Sequence, residues 1–188
     1  MQTENSHFIS ETTRQFESAH FTYDFTQNLG TDLIIRMASQ QDFYKDHTQL
    51  LAQLTDAPEM TFERYYHFLH WSETNPLHAV LVVESTITGK VVASGTIFAE
   101  PKLIRGGSLV GHIEDIVVDT AFRGRGLGKV IVKTLIEIGR EMGCYKTILA
   151  CSDKNVGFYE RCGMNQREAE MAVYYKSFNA SAAASILN

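Results

Sequence analysis

The densest chemistry in this 188-residue chain lies between Val117 and Lys129, where Val-Val-Asp-Thr-Ala-Phe-Arg-Gly-Arg-Gly-Leu-Gly-Lys leads from an apolar run into an amphipathic one. Arg123, Gly124, Arg125, Gly126, Leu127, Gly128 and Lys129 place glycines and cations together at an expected helix start. Glycine leaves backbone N–H groups uncovered, and a helix N-terminus carries partial positive charge, so such a turn suits a phosphate group. With three cations around it, a pyrophosphate is the expected ligand. Two familiar phosphate loops do not fit. The spacing is not G-x-x-x-x-G-K-[ST], and the glycines run G-x-G-x-G instead of G-x-G-x-x-G.

Upstream, Glu114 and Asp115 are adjacent carboxylates on an expected strand. Regular alternation would send them to opposite faces, and a bulge would let both serve one pocket. His67 and His70 stand three apart on one expected helix face without a third ligand nearby, so no metal site is expected. Cys144, Cys151 and Cys162 are odd in number and lack C-x-x-C spacing, which points to plain thiols and not to disulfides or zinc.

These residues need a scaffold, and the hydrophobic pattern supplies one. It predicts strands over 32–37, 78–84, 91–99, 108–118, 145–151 and 169–175, and helices over 40–54, 61–71, 126–142 and 155–162. Thr61 is the expected N-cap of the second helix, and Gly143 and Gly163 are the expected stops of the last two. The order β α α β β β α β α β is that of an α+β sheet of mixed direction, not a doubly wound one. Residues 1–30 read as a mobile extension, 31–176 as one domain and 177–188 as a low-complexity tail.

Bulk properties narrow the class. Lys and Arg number 17 and Asp and Glu 22, a net charge of −5, so general nucleic-acid or anionic-membrane binding is not expected. No apolar run approaches the roughly 20 residues of a membrane span, and the polar first 20 residues do not look like a signal peptide, so a cytoplasmic protein is expected.

The segment Arg123-Gly-Arg-Gly-Leu-Gly128 resembles the acetyl-CoA signature of the GNAT acetyltransferases, Q/R-x-x-G-x-G/A. Three further segments, Gly111-His-Ile-Glu-Asp-Ile-Val-Val118, Gly143-Cys-Tyr-Lys-Thr-Ile-Leu149 and Lys154-Asn-Val-Gly-Phe-Tyr-Glu-Arg-Cys-Gly163, together resemble the glucosamine-6-phosphate N-acetyltransferases within that superfamily. The likeness covers residues 99–175. It implies the GNAT fold, a mixed, mostly antiparallel sheet flanked by helices with splayed central strands. It also implies acetyl-CoA as co-substrate, no metal, a homodimer with the last strand at the interface, and a product that feeds UDP-N-acetylglucosamine synthesis.

By the same resemblance, the N–H groups of residues 125–129 hold the pyrophosphate, Ile116, Val117 and Val118 pair with the pantetheine arm, and Asn155 adds a cofactor contact. Lys102, Arg105 and Lys146 take the sugar phosphate, with Thr55, Glu114, Asp115 and Tyr145 as further substrate contacts. Glu114 helps remove the amine proton, and Tyr159 donates to the leaving thiolate. The bland alternatives are a solvated loop for Lys102 and Arg105, and a core aromatic for Tyr159. Two positions depart from the family: Ala150 stands where relatives carry an acidic residue, and Tyr174 where some carry an arginine. An acetyltransferase for a protein or polyamine amine, or a non-catalytic acyl-CoA sensor, stays open as an alternative.

Overall fold

The structure is a computed structural model that describes residues 29–55 and 59–173. Its centre is a five-stranded sheet of β1 (Leu33–Met37), β2 (His78–Ser85), β3 (Val91–Pro101), β4 (Leu109–Val118) and β5 (Cys144–Ile148), in that spatial order. The first four strands are antiparallel neighbours, and β5 joins β4 in parallel after the crossover helix α3 (Leu127–Glu141). Two helices precede β2: α1 (His47–Leu51) and α2 (Phe62–Thr74). A short α4 (Val156–Glu160) follows β5.

Strand alternation explains the two-sided core. On β2, Ala79, Leu81 and Val83 join the cluster under α3, while Val80 and Val82 join the one under α1 and α2. The α3 face of Leu127, Ile131, Leu135 and Ile138 is fully buried. At about 1.5–3 kcal/mol for each large side chain, that stripe fixes where α3 starts. Gly95 lets α3 lie flush on the sheet, because a Cβ there would sit 2.5 Å from Ile116 and 2.7 Å from Ile131.

The expected helix over 40–54 is broken in two. Gln40–Lys45 is a 3-10 turn, and α1 begins only after Asp46, whose φ of 62° is left-handed. The apolar period continues across the break, since His47 and Leu50 are both buried, so spacing alone read it as one helix. The turn is held by buried Asp42, which accepts from the Ser39 N–H and from Arg36; Arg36 and Lys45 also pair with Glu84. Thr61 caps α2 as expected, accepting from the Arg64 N–H, and α2 runs on to Thr74.

Buried histidines tie the layers together. The His47 imidazole meets Tyr65 Oη at 2.7 Å and Ser94 Oγ at 2.8 Å, joining α1, α2 and β3. His78 meets Ser72 Oγ at 2.7 Å. Burial lowers both to a pKa of about 4, so both are neutral at physiological pH.

Two expected strands are corrected. β5 ends at Ile148 and not at 151, because its ladder with β4 stops there. The strand expected over 169–175 does not form over 169–173, and 174–175 lie outside the described residues. A strand needs a neighbour for its backbone groups, and among the described residues this stretch has none. Its Met171 and Val173 side chains are 92% and 73% exposed.

Candidate active site

Strand β4 is the axis of the site. From Leu109 to His112 it pairs with β5; the last rung is His112 opposite Ile148. Beyond it, among the described residues, β4 continues to Val118 with β3 on one side only, so the edge that carries Ile116, Val117 and Val118 opens toward the place β5 has left. The register on the β3 side also changes there. Thr96 faces Glu114 and Ser94 faces Val117, so two residues of β4, Asp115 and Ile116, oppose Gly95 alone. This is a β-bulge, and Asp115 takes a left-handed φ of 53° to make it.

The bulge breaks the alternation that would have separated the two carboxylates: Glu114 and Asp115 are both solvent-exposed. Enough protein surrounds them to raise both pKa values. Burial leads in each case; for Glu114 the Asp115 charge adds to it, His112 opposes it, and Glu170 adds least. The arrangement suits a carboxylate that takes up a proton from an amine.

At the far end of β4 the glycine turn follows a 3-10 turn, Thr120–Phe122. Gly124 and Gly126 have φ of 80° and 81°, and nothing lies within 4 Å of a Cβ built at either. They are glycine for conformation, and the space beside them is open. Gly126 is the N-cap of α3 and offers no side chain to cover its first N–H groups. A phosphate-bearing ligand fits that open, donor-rich turn.

The three cations are not equivalent there. Arg123 Nε donates to the Val118 carbonyl at 3.2 Å, Lys129 is exposed, and Arg125 is paired with Asp32 at 2.7 Å and lies over Phe122. Arg125 thus has Asp32 as its side-chain partner in this structure. A Cβ on Gly128 would meet the Phe158 ring at 3.2 Å, so this glycine admits α4 against the start of α3. Phe158 in turn packs edge-on to Tyr159, with centroids 5.0 Å apart. Tyr159 is half-buried, and burial, then the nearby Cys151 and Cys162 thiols, raise its pKa. Among the described residues its hydroxyl has no hydrogen-bond partner. Asn155 precedes α4 and spends no side-chain bond on capping it.

The second group of cations gathers at the opposite end of β4. Arg105, in the β3–β4 loop, lies 4.8 Å over the Tyr145 ring, and Lys146 Nζ is 5.8 Å from that ring. Lys102 is in the same loop but pairs with Glu100, which also takes His112 Nε2 at 3.0 Å. Glu100 was not anticipated; nothing in its spacing marks it. Thr55 is exposed, two residues beyond Gln53, whose carboxamide bonds to Asp119 and to the Thr120 N–H. Ala150 is exposed past the end of β5, and Tyr174 lies outside the described residues. No group of three or more potential metal ligands occurs among the described residues.

Comparison with known proteins gives a consistent picture. The acetyltransferase (GNAT) family profile matches residues 41–164. A rice protein named probable glucosamine 6-phosphate N-acetyltransferase 2 is 38% identical over 78% of this chain and 90% of its own length. The crystal structure of glucosamine-6-phosphate N-acetyltransferase from Arabidopsis thaliana superposes with a TM-score of 0.74 at 39% identity, covering 77% of this chain and 99% of that one. An acetyltransferase structure from Trypanosoma brucei gives 0.71 at 38% identity, covering 77% and 100%.

Proposed function

The chain belongs to the GNAT acetyltransferase family, and from that premise we propose that it transfers the acetyl group of acetyl-CoA to the amine of D-glucosamine 6-phosphate. The observation that carries this is the layout along β4. A glycine-rich turn at a helix start sits at one end, paired carboxylates at a bulge in the middle, and a Tyr145-centred cluster with Arg105 and Lys146 at the other end. At about 3.4 Å per residue, Leu109 to Val118 spans about 30 Å, so the two candidate anion sites lie at opposite ends of one strand. An amino-sugar phosphate at one end and a CoA pyrophosphate at the other would meet near Glu114. A protein amine or a polyamine would have no use for the cations at Tyr145.

In this reading acetyl-CoA supplies the activated acetyl group, and the chain supplies position and proton handling. The N–H groups of residues 125–129 hold the pyrophosphate, with Asn155 beside it. The open edge of Ile116, Val117 and Val118 pairs with the pantetheine arm, and N–H groups there polarise the thioester oxygen. Glu114, directly or through a water, accepts the proton of the sugar ammonium, and the freed amine attacks the thioester carbon. The C–S bond breaks, Tyr159 gives the sulfur a proton, and the second proton lost by the acetylated nitrogen restores the tyrosine through solvent. Ala150 cannot act as base; a backbone carbonyl past β5 orients the amine instead. Thr55, Asp115 and Tyr145 contact the sugar. Arg105 and Lys146 bind its phosphate, and Lys102 joins them once it leaves Glu100.

The exposed Met171 and Val173 support a homodimer in which this stretch pairs with a second copy. The domain spans 31–176, between an N-terminal extension over 1–30 and a tail over 177–188. Among the described residues no helix is long and apolar enough to cross a membrane, in keeping with work in the cytoplasm on a sugar phosphate destined for UDP-N-acetylglucosamine. Incubation with acetyl-CoA and glucosamine 6-phosphate should give a product heavier by one acetyl group, with the phosphate retained, in a mass spectrum. Acetylated protein side chains in place of that product would favour the protein-amine alternative.

A further inference from the structure

The turn that launches the glycine-rich loop is held from outside by a side chain far away in sequence. Gln53 Nε2 donates to Asp119 Oδ2 at 2.8 Å, and Gln53 Oε1 accepts from the Thr120 N–H at 3.1 Å. The other oxygen of Asp119 accepts from the Ala121 N–H at 2.8 Å, and the Asp119 N–H donates to the Val92 carbonyl at 2.9 Å. Gln53 itself is anchored: its N–H donates to the carbonyl of Leu50, which is buried in the α1–α2 core cluster.

Among the described residues, two side chains from elsewhere in the chain hydrogen-bond to residues 119–125. The other is Asp32, through an ion pair with Arg125 that is accessible to water and so weakened by salt. The Gln53 bridge has two bonds of fixed direction and does not depend on a charged pair. Between these two attachments run Gly124 and Gly126, both in left-handed backbone with open space around them. A glycine loop of this kind is free to leave the shape that receives a ligand, and fixing its start removes part of that freedom before binding.

We propose that Gln53 is a positioning residue for acetyl-CoA: its carboxamide clamps Asp119 and Thr120 and so holds the departing glycine loop in its receiving shape. This rests on the reading of that loop as the pyrophosphate site. Gln53 touches no reacting atom, so its effect falls on cofactor affinity and not on the chemical step.

The test is acetyl-CoA binding by calorimetry and steady-state kinetics on the full chain. Gln53→Ala and Gln53→Glu each remove the donor to Asp119. Both are expected to raise Kd and KM for acetyl-CoA about 5- to 10-fold while kcat changes less than about twofold. Gln53→Glu combined with Asp119→Asn reverses the donor and acceptor across the clamp and should bring Kd back to within about threefold of the unsubstituted chain. That recovery is something a general loss of fold would not show. Kd unchanged in the single variants, a fall in kcat without a change in KM, or no recovery in the double variant would overturn the assignment alone. Failure of the unsubstituted chain to bind acetyl-CoA would overturn the reading of the loop, and this assignment with it.

Discussion

His112 and Ile148 form the last rung between β4 and β5. Two residues further along β4, Glu114 begins the bulge that leaves both it and Asp115 exposed. The fork and the bulge together place an open strand edge next to a pair of acidic groups. Each feature on its own is an ordinary irregularity of a sheet. In the proposed reaction, this pairing would set a proton acceptor beside the extended thioester arm.

Tyr159→Phe removes the hydroxyl and keeps the ring that packs on Phe158. Acetyl-CoA affinity should stay within about twofold, while kcat falls about 100-fold, the lower end of what a positioned proton donor contributes. Thiol-release kinetics beside binding calorimetry separate the two. Equal loss of binding and turnover would make Tyr159 a packing residue.

Gly128→Val would drive a branched side chain into the Phe158 ring, which already lies 3.2 Å from the position of a Cβ. Displacing α4 should raise the KM for acetyl-CoA at least about tenfold and also lower kcat, because Tyr159 moves with Phe158. Gly126→Ala meets open space but needs a left-handed residue, at a cost of about 1–2 kcal/mol. Its effect should appear as lower melting temperature and weaker cofactor binding, with kcat nearly intact.

Glu114 and Asp115 both have pKa values raised above the ordinary carboxylate range. A base with a raised pKa stays protonated to higher pH, so the acid limb of kcat/KM should lie above the usual Glu value of 4.5. Burial is the main cause and the Asp115 charge the next. Asp115→Asn should therefore move that limb to lower pH, whatever it does to the plateau. A pH–rate profile that does not shift would remove Glu114 as the titrating group.

Stability should also depend on pH through His47 and His78, each lowered by burial to about 4 from 6.5. Between those values the unfolded chain binds protons that the folded chain refuses, so stability falls as pH drops through the window. From pH 7.5 to pH 5 each histidine should cost about 2 kcal/mol. Asp42 and Glu84, with lowered pKa values, keep their ion pairs through this range. Glu114 and Asp115 act in the opposite sense but are exposed, and solvent screening weakens their effect. Urea denaturation at the two pH values measures the sum; a flat result would contradict the neutral, buried state of both rings.

Met171→Glu together with Val173→Glu puts charge on the two most exposed apolar side chains of the stretch after α4. With the proposed homodimer built on this stretch, light scattering should show the unsubstituted chain as a dimer and the variant as a monomer, with activity falling in parallel. A variant that remains dimeric would place the interface elsewhere.

Much of this was legible in the sequence because local rules and tertiary packing agree. Thr61 caps its helix, Gly126 opens α3, and β2 alternates between two cores. The left-handed Asp46 was not legible, because the apolar period runs through it unbroken. The bulge at Asp115 was a stated possibility, and the backbone decides it where Gly95 faces two residues. Arg125 pairs with Asp32 across 93 residues, and Gln53 reaches Asp119 from 66 residues away. Contacts of that range leave no periodic trace. The expected last strand does not form over 169–173 for a different reason: among the described residues it has no ladder partner.

The most direct test is the rate of thiol release from acetyl-CoA by the purified chain, with glucosamine 6-phosphate compared against unphosphorylated glucosamine. With Arg105 and Lys146 binding the phosphate, kcat/KM should favour the phosphorylated sugar by at least about 100-fold, the worth of a pair of charge-assisted contacts. Equal rates with both sugars would contradict the phosphate cluster at Tyr145. Absence of release with either, while acetyl-CoA still binds, would contradict amino-sugar acetylation itself.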